Sequence, residues 1–278
     1  MLLILFFLIL FLASIAAGIL GSIAGIGGGL VVIPVLTLLF GVDIHYAIGA
    51  SIVSIIATSS GAAATYVRDR VTNLRIGMFL ETGTTVGAII GAAIAAYLSA
   101  IFLETIFGTI LIISLIPLLQ KIGQEFPTFQ ELKGLAKKLN LHGDYTERDD
   151  QRIEYNATSP GKGLLGMLVA GLISGLLGLG SGTFKVLSMD LWMKLPMKVS
   201  TTTSNFMIGV TAAASAGIYF ARGDVNPLIA APVALGILVG STTGTRFLIK
   251  AKNTVIRKVF ALVLAASAIE MILRALGY

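Results

Sequence analysis

Charge is scarce in this chain: 20 Lys+Arg and 14 Asp+Glu make up only 12% of 278 residues, against about 25% in an ordinary soluble domain. So few charges cannot clothe a water-exposed surface of this size, which excludes an ordinary globular protein. Cysteine is absent, and with it go disulfide scaffolds, zinc ribbons, iron–sulfur clusters and thiol nucleophiles. Two histidines leave little for a metal site, so neither metal nor cofactor is expected. No Gly-Lys-Ser/Thr follows any glycine cluster, and no dinucleotide-binding strand precedes one, so no nucleotide motif is in view. What remains is a chain that is 56% apolar with 32 glycines, the composition of an all-α polytopic membrane protein.

The net charge of +6 does not form one basic face. Lys and Arg sit in short runs between apolar stretches, as topology signals do, so nucleic acid is not an expected partner and the lipid bilayer is. Residues 1–17 lack the basic segment that opens a secretory signal and are read as mature sequence. A span needs about 20 mainly apolar residues. Residues 2–24, 46–67, 76–98, 101–119, 163–177, 199–220, 226–249 and 255–276 meet or approach that length. Residues 30–40 and 183–193 are about half as long, and each follows a glycine cluster that breaks a helix. They are expected to be short helices that return partway through the membrane. Between Gln120 and Lys162 the pattern changes, with seven basic and seven acidic residues. Within this polar linker, 131–139 is expected to form a short amphipathic helix and 142–155 a small hairpin or loop.

The chain repeats itself. Gly29 and Gly182 are 153 positions apart, and the same offset carries Ser51, Thr58, Tyr66 and Asn73 onto Ser204, Thr211, Tyr219 and Asn226. It also carries Gly83, Gly87 and Gly91 onto Gly236, Gly240 and Gly244. Such self-similarity precedes other fold arguments. The basic residues of equivalent loops do not match. Arg68, Arg70 and Arg75 face Arg222 beside Asp224, while the base-free turn 99–104 corresponds to a region holding Arg246, Lys250, Lys252, Arg257 and Lys258. With the richer loop of each pair cytoplasmic, the halves lie in opposite orientations, the linker is cytoplasmic and both termini face outward. The expected organisation is therefore a first transmembrane repeat over 1–119, a cytoplasmic linker over 120–162 and a second repeat over 163–278. Each repeat is a glycine-broken helix hairpin plus three transmembrane helices, in inverted topology.

Unwound backbone at membrane depth must be buried or line a cavity. A helix restarting there aims free N–H groups and the positive end of its dipole into that space. Gly25, Gly27, Gly28 and Gly29 in one half, with Gly178, Gly180, Ser181, Gly182 and Thr183 in the other, are therefore candidate binding elements for a small anion. Lys185 lies just beyond the second cluster, in an apolar run where its repeat partner is Val32. It either points inward to add positive charge or snorkels to an interface. Ser51, Ser54, Thr202, Thr203, Ser204 and Asn205 are candidate neutral donors to the anion, with hydrogen bonds to their own helices as the competing use. Glu81 is the carboxylate most clearly inside a span. It is a candidate proton carrier, although pairing with a nearby base at the cytoplasmic boundary is the favoured reading. Gly83, Gly87 and Gly91 are read as packing positions, and Tyr66 and Tyr219 as interfacial anchors.

The run Gly25-Ile26-Gly27-Gly28-Gly29 followed by Pro34, the later Ala50-Ser51, and Ser174-Gly175 before Gly178-Leu179-Gly180-Ser181-Gly182 resemble the sulfite exporter TauE/SafE family of membrane permeases. The likeness covers nearly the whole chain. It implies movement of sulfite, sulfoacetate or another small sulfur-containing or organic anion, and it carries the family's glycine-rich motifs onto Gly25–Gly29 and Gly178–Gly182. Departures are Ser181-Gly182-Thr183, where a further glycine is common, and Lys185. The reading is a secondary transporter in the cell inner or plasma membrane, not an enzyme, moving a small anion such as sulfite by alternating access. A passive anion channel, or an uptake carrier for an organosulfonate or carboxylate, is the alternative.

Overall fold

The computed structural model of the chain describes residues 2–24, 28–68, 72–120, 131–146, 152–248 and 253–276. Long apolar runs become helices because every backbone polar group is then satisfied within its own segment, which a bilayer requires. The first half contains α1 (Leu2–Ala24), α2 (Gly29–Pro34), α3 (Ile44–Arg68), α4 (Leu74–Ala95) and α5 (Ala100–Gln120). The second contains α7 (Pro160–Leu177), α8 (Gly182–Leu187), α9 (Met197–Arg222), α10 (Pro227–Leu248) and α11 (Asn253–Ala275). Among the described residues, α4, α7 and α9 are long and apolar enough to cross a membrane. Shorter apolar stretches lie in α1, α3, α5 and α10.

Both short helices continue as a widened π-helical turn, Val35–Leu39 after α2 and Ser188–Trp192 after α8. Pro34 precedes the first and Leu187 the second, so proline is not the shared cause of the widening. Local signals place other boundaries. Asn73 caps α4 through its side-chain oxygen, which accepts from Ile76 N at 3.0 Å. Gly223, at φ +81°, ends α9.

The outer faces are apolar. Leu165 is 68% exposed and Phe220 71%, with Leu12, Val86, Val169 and Leu235 also exposed. So many exposed large apolar side chains on long apolar helices belong against lipid rather than water. The inner contacts are made by small residues and cross between the halves: α4 packs on α7 and α9, α1 on α10, α3 on α9 and α10, and α5 on α11. A methyl group added to Gly83 would lie 2.9 Å from the carbonyl oxygen of Leu164, and one on Gly236 would lie 2.6 Å from that of Phe11. Gly87 meets Leu168 and Gly91 meets Leu172 in the same way. Positions 83, 87 and 91 thus face 164, 168 and 172, so α4 and α7 run parallel. Gly236 and Gly240 on Phe11 and Ile15 make the same match for α10 and α1. These glycines are packing positions, as read from the sequence.

The polar linker folds onto one end of this bundle. A short helix, α6 (Gly134–Lys138), precedes a hairpin of β1 (His142–Thr146) and β2 (Arg152–Asn156), paired antiparallel with His142 opposite Asn156 and Tyr145 opposite Ile153. The helix is shorter than the expected 131–139. Lys133 is extended, and Ala136 is its one buried side chain, which is too little apolar surface to hold more turns. The hairpin docks through Tyr145 and Tyr155, which share a buried cluster with Ile76, Leu80, Met193 and Val199. Asn73 Nδ2 donates to Tyr155 Oη at 2.9 Å and to the His142 carbonyl at 3.1 Å. Burial pushes the Tyr155 hydroxyl up to about 12, and the bond from Asn73 offsets part of that.

Candidate functional site

The second glycine break is built from left-handed backbone. Gly178 has φ +60° and Gly180 φ +67°, conformations that cost glycine nothing and other residues strain. Ser181 adopts φ +44° without being glycine, and its hydroxyl is fixed by donating to the Ala170 carbonyl at 2.6 Å. In the first break, the Gly28 carbonyl accepts from Val31 N at 3.1 Å and Val32 N at 3.0 Å, so α2 restarts immediately after it. Gly25 and Gly27 lie outside the described residues.

The two breaks meet. A methyl group on Gly29 would sit 2.9 Å from the carbonyl oxygen of Gly178 and 2.7 Å from Ser51 Oγ. Ser51 Oγ itself donates to the Gly178 carbonyl at 2.7 Å. The bond spans 127 positions of sequence and joins α3 of the first half to the unwound segment of the second. Gly182 is held similarly, its carbonyl accepting from Ser204 Oγ on α9 at 3.2 Å. Tyr219 is fully buried, and its hydroxyl lies 2.8 Å from the Gly175 carbonyl and 3.1 Å from that of Leu176. The interfacial-anchor reading of Tyr219 is therefore corrected: the ring supplies a donor to the last turn of α7, where carbonyls lack partners. The side chain of Tyr66 lies outside the described residues.

The hydroxyls expected to face an anion divide by use. Ser51 and Ser204 serve the carbonyls of the breaks. Ser54 donates to the Ser51 carbonyl at 2.7 Å and Thr202 to that of Lys198 at 3.0 Å, both within their own helices. Thr203 Oγ1 accepts from Asn73 N at 3.2 Å, at the edge facing the linker. Asn205 is half-buried on α9. Thr183 differs, because its hydroxyl oxygen is buried without a hydrogen-bond partner.

Lys185 is 0% exposed. It does not snorkel to an interface. Its Nζ donates to Thr211 Oγ1 on α9 at 2.5 Å, and Thr211 Oγ1 donates in turn to Glu81 Oε1 on α4 at 2.7 Å. Thr85 also donates to Glu81 Oε1, at 3.2 Å, while Glu81 Oε2 is buried with no partner. The expectation that Glu81 pairs with a base at the cytoplasmic boundary is corrected: its charged neighbour is Lys185, reached through one hydroxyl. Thr211 is the residue that sequence reasoning missed as a site member, although its match to Thr58 was visible in the repeat. An ammonium, a hydroxyl and a carboxylate in line form a chain along which charge and hydrogen-bond direction are linked.

Lipid-facing helices, interrupted in pairs at glycine clusters that adjoin in the interior, define a polytopic membrane protein of the broken-helix class. The chain belongs to the sulfite exporter TauE/SafE family, whose profile matches residues 10–271. It is similar to the probable membrane transporter protein YunE of Bacillus subtilis (strain 168), 27% identical over 274 residues that cover 96% of this chain and 97% of the relative. The probable membrane transporter protein YdhB of the same organism is 26% identical, covering 86% of this chain and 88% of the relative. The probable membrane transporter protein ORF9 of Sinorhizobium sp is 22% identical, covering 95% and 91%. No solved structure matches the chain.

Proposed function

We propose that the protein is a secondary carrier of a small anion, sulfite or a related sulfur-containing anion, working by alternating access around its two interrupted helices. The observation that carries this reading is the junction of Gly29, Ser51 and Gly178, together with a fully buried Lys185 on the short helix that follows the second break, in a chain of the sulfite exporter TauE/SafE family. Backbone interrupted in both halves gives each half a place to bend, and a buried ammonium selects for negative charge. The relatives' names, probable membrane transporter proteins, point the same way.

Inverted topology is part of the proposal. With successive elements alternating in direction, α1 and α4 of one half run oppositely. The parallel contact of α4 with α7, and of α1 with α10, then supports opposite orientations of the halves. The basic loops support a cytoplasmic linker and both termini outside, in the cell inner or plasma membrane. The sequence holds no nucleotide motif, so the driving force is an ion or anion gradient or the membrane potential.

The test is uptake into proteoliposomes of sulfite, thiosulfate, sulfate, sulfoacetate and simple carboxylates. Labelled anion should enter faster when unlabelled anion is loaded on the opposite face. Uptake without that acceleration identifies a channel instead, and no uptake of any anion refutes transport of this class.

A further inference from the structure

The two halves share a scaffold but not a chemistry. The positions that correspond to Glu81, Thr211 and Lys185 under the repeat are Ala234, Thr58 and Val32. The threonine is present in both halves, and the two charges in only one. In the half without them, Thr58 Oγ1 donates, among the described residues, to carbonyls of its own helix, those of Ser54 and Ile55 at 3.1 Å each. Packing alone, which is otherwise matched between the halves, does not call for a buried ammonium and carboxylate on one side.

A buried cluster must stay close to electroneutral, because an unbalanced charge in a low-dielectric interior is costly. Lys185 and Glu81 balance each other through Thr211. An anion that docks on the ammonium upsets that balance unless Glu81 becomes neutral. The geometry offers the place for a proton, since Glu81 Oε2 is buried and accepts no hydrogen bond. It also offers a way to uncouple the pair. Thr211 has one hydroxyl hydrogen and two acceptors within reach, Glu81 Oε1 at 2.7 Å and the Met207 carbonyl at 2.8 Å.

We propose that Glu81, Thr211 and Lys185 form a proton-coupled anion site in which Glu81 takes up one proton for each monovalent oxyanion that docks on Lys185. This rests on the carrier reading and supplies its coupling ion. The proton comes from the aqueous side open to the site, and an O–H bond forms at Glu81 Oε2. The Thr211 hydrogen turns to the Met207 carbonyl, and Lys185 remains an ammonium paired with the anion. On the other side the steps reverse, and anion and proton leave together. The groups that bear on Glu81 among the described residues are few. Lys185 comes from α8, Thr211 from α9, and Thr84 and Thr85 from α4 itself. The single charge on α7 is Lys162, exposed near its start, while α9 carries Lys198 and Arg222 close to its ends. Asp190 is buried in the π-helical turn after α8, and Glu81 acts on Lys185 electrostatically.

The experiment uses the full chain in proteoliposomes, with labelled sulfite, thiosulfate, sulfate, sulfoacetate and methanesulfonate as probes and a trapped pH dye. An inwardly directed proton flux should accompany wild-type uptake, and over the coupled range anion affinity should weaken tenfold per pH unit as pH rises. Glu81→Gln, which imitates the protonated acid, should lose accumulation driven by a pH gradient, while anion counterflow persists and no longer varies with pH. Vesicles carrying it also serve as the blank for any buffering by the anion itself. Lys185→Gln should lose both activities, and Lys185→Arg should recover part of each. Wild-type uptake without proton flux or pH dependence overturns the proposal and leaves the carrier reading intact. So does Glu81→Gln accumulating like wild type, or folding yet losing counterflow together with accumulation. If Glu81→Gln does not fold, the wild-type proton flux decides: one proton per methanesulfonate supports the proposal and none overturns it. No uptake of any probe by the wild type defeats the carrier reading itself, and the proposal with it.

Discussion

Substituting Gly236→Ala tests whether backbone contact between α1 and α10 holds the bundle together. The new methyl group would lie 2.6 Å from the Phe11 carbonyl oxygen and 2.7 Å from Ser14 Cβ. Ordinary van der Waals contact needs roughly 3.5 Å, so the helices must part by close to an ångström. Neither neighbour is the free end of a flexible side chain. Overpacking of this kind costs about 1–3 kcal/mol, and rigid backbone on both sides places Gly236→Ala at the upper end. Its repeat partner Gly83 meets the Leu164 carbonyl at 2.9 Å and the movable Leu164 Cδ1 at 3.0 Å, so Gly83→Ala should cost the lower part of that range. Gly217 has nothing within 4 Å. There the same change should stabilise by up to about 1 kcal/mol through helix propensity alone. Chemical unfolding in mixed micelles, followed by loss of helix, ranks the three variants. Equal effects at all three positions, or Gly236→Ala indistinguishable from Gly217→Ala, would refute the close-contact argument.

Three further outcomes follow from groups already described. Tyr219→Phe removes the donor shared by the Gly175 and Leu176 carbonyls and should cost about 1–3 kcal/mol in the same unfolding assay, because buried acceptors are left unsatisfied. Asn73→Ala deletes both the cap of α4 and the bonds to the hairpin. It should cost about 0.5–2 kcal/mol and speed proteolysis of the linker, and an unchanged cleavage rate would count against docking through this residue. The Tyr155 hydroxyl, held up to about 12 in the folded chain, stays neutral when an unfolded tyrosine has begun to ionise near 10. Its contribution is whole below about pH 10 and is lost as pH rises toward 12, on the order of 2 kcal/mol in all. Alkaline unfolding of Tyr155→Phe should lack that component.

Much of the architecture was legible because it is written in runs and breaks. Apolar length located α1, α3, α4, α5, α7, α9, α10 and α11, and the glycine clusters located the restarts at Gly29 and Gly182. Hydroxyl groups were harder. Ser51 and Ser204 read equally well as donors to an anion or to protein, and the choice depends on where the Gly178 and Gly182 carbonyls come to lie. Tyr219 looked like an anchor because it stands near a helix end, yet cross-packing buries that end. Glu81, Lys185 and Thr211 are brought together from three helices and both halves, so no local spacing announces them. A signal was present all the same: at two of these positions the repeat fails, giving Ala234 and Val32 for Glu81 and Lys185. In a duplicated membrane chain, charges that break the duplication deserve the search that motifs usually receive.

The exchange of partners between halves also bears on how the protein is made. α1 leaves the ribosome well before the helix it packs on, α10. α4 likewise waits for α7. Nascent α4 and α1 must therefore stay in the bilayer with these packing faces uncovered, shielded by lipid or by the insertion machinery, until α7 and α10 respectively are made. Truncation within α10 should strand α1 without its mate and mark the chain for degradation, even though most of its spans are already in place.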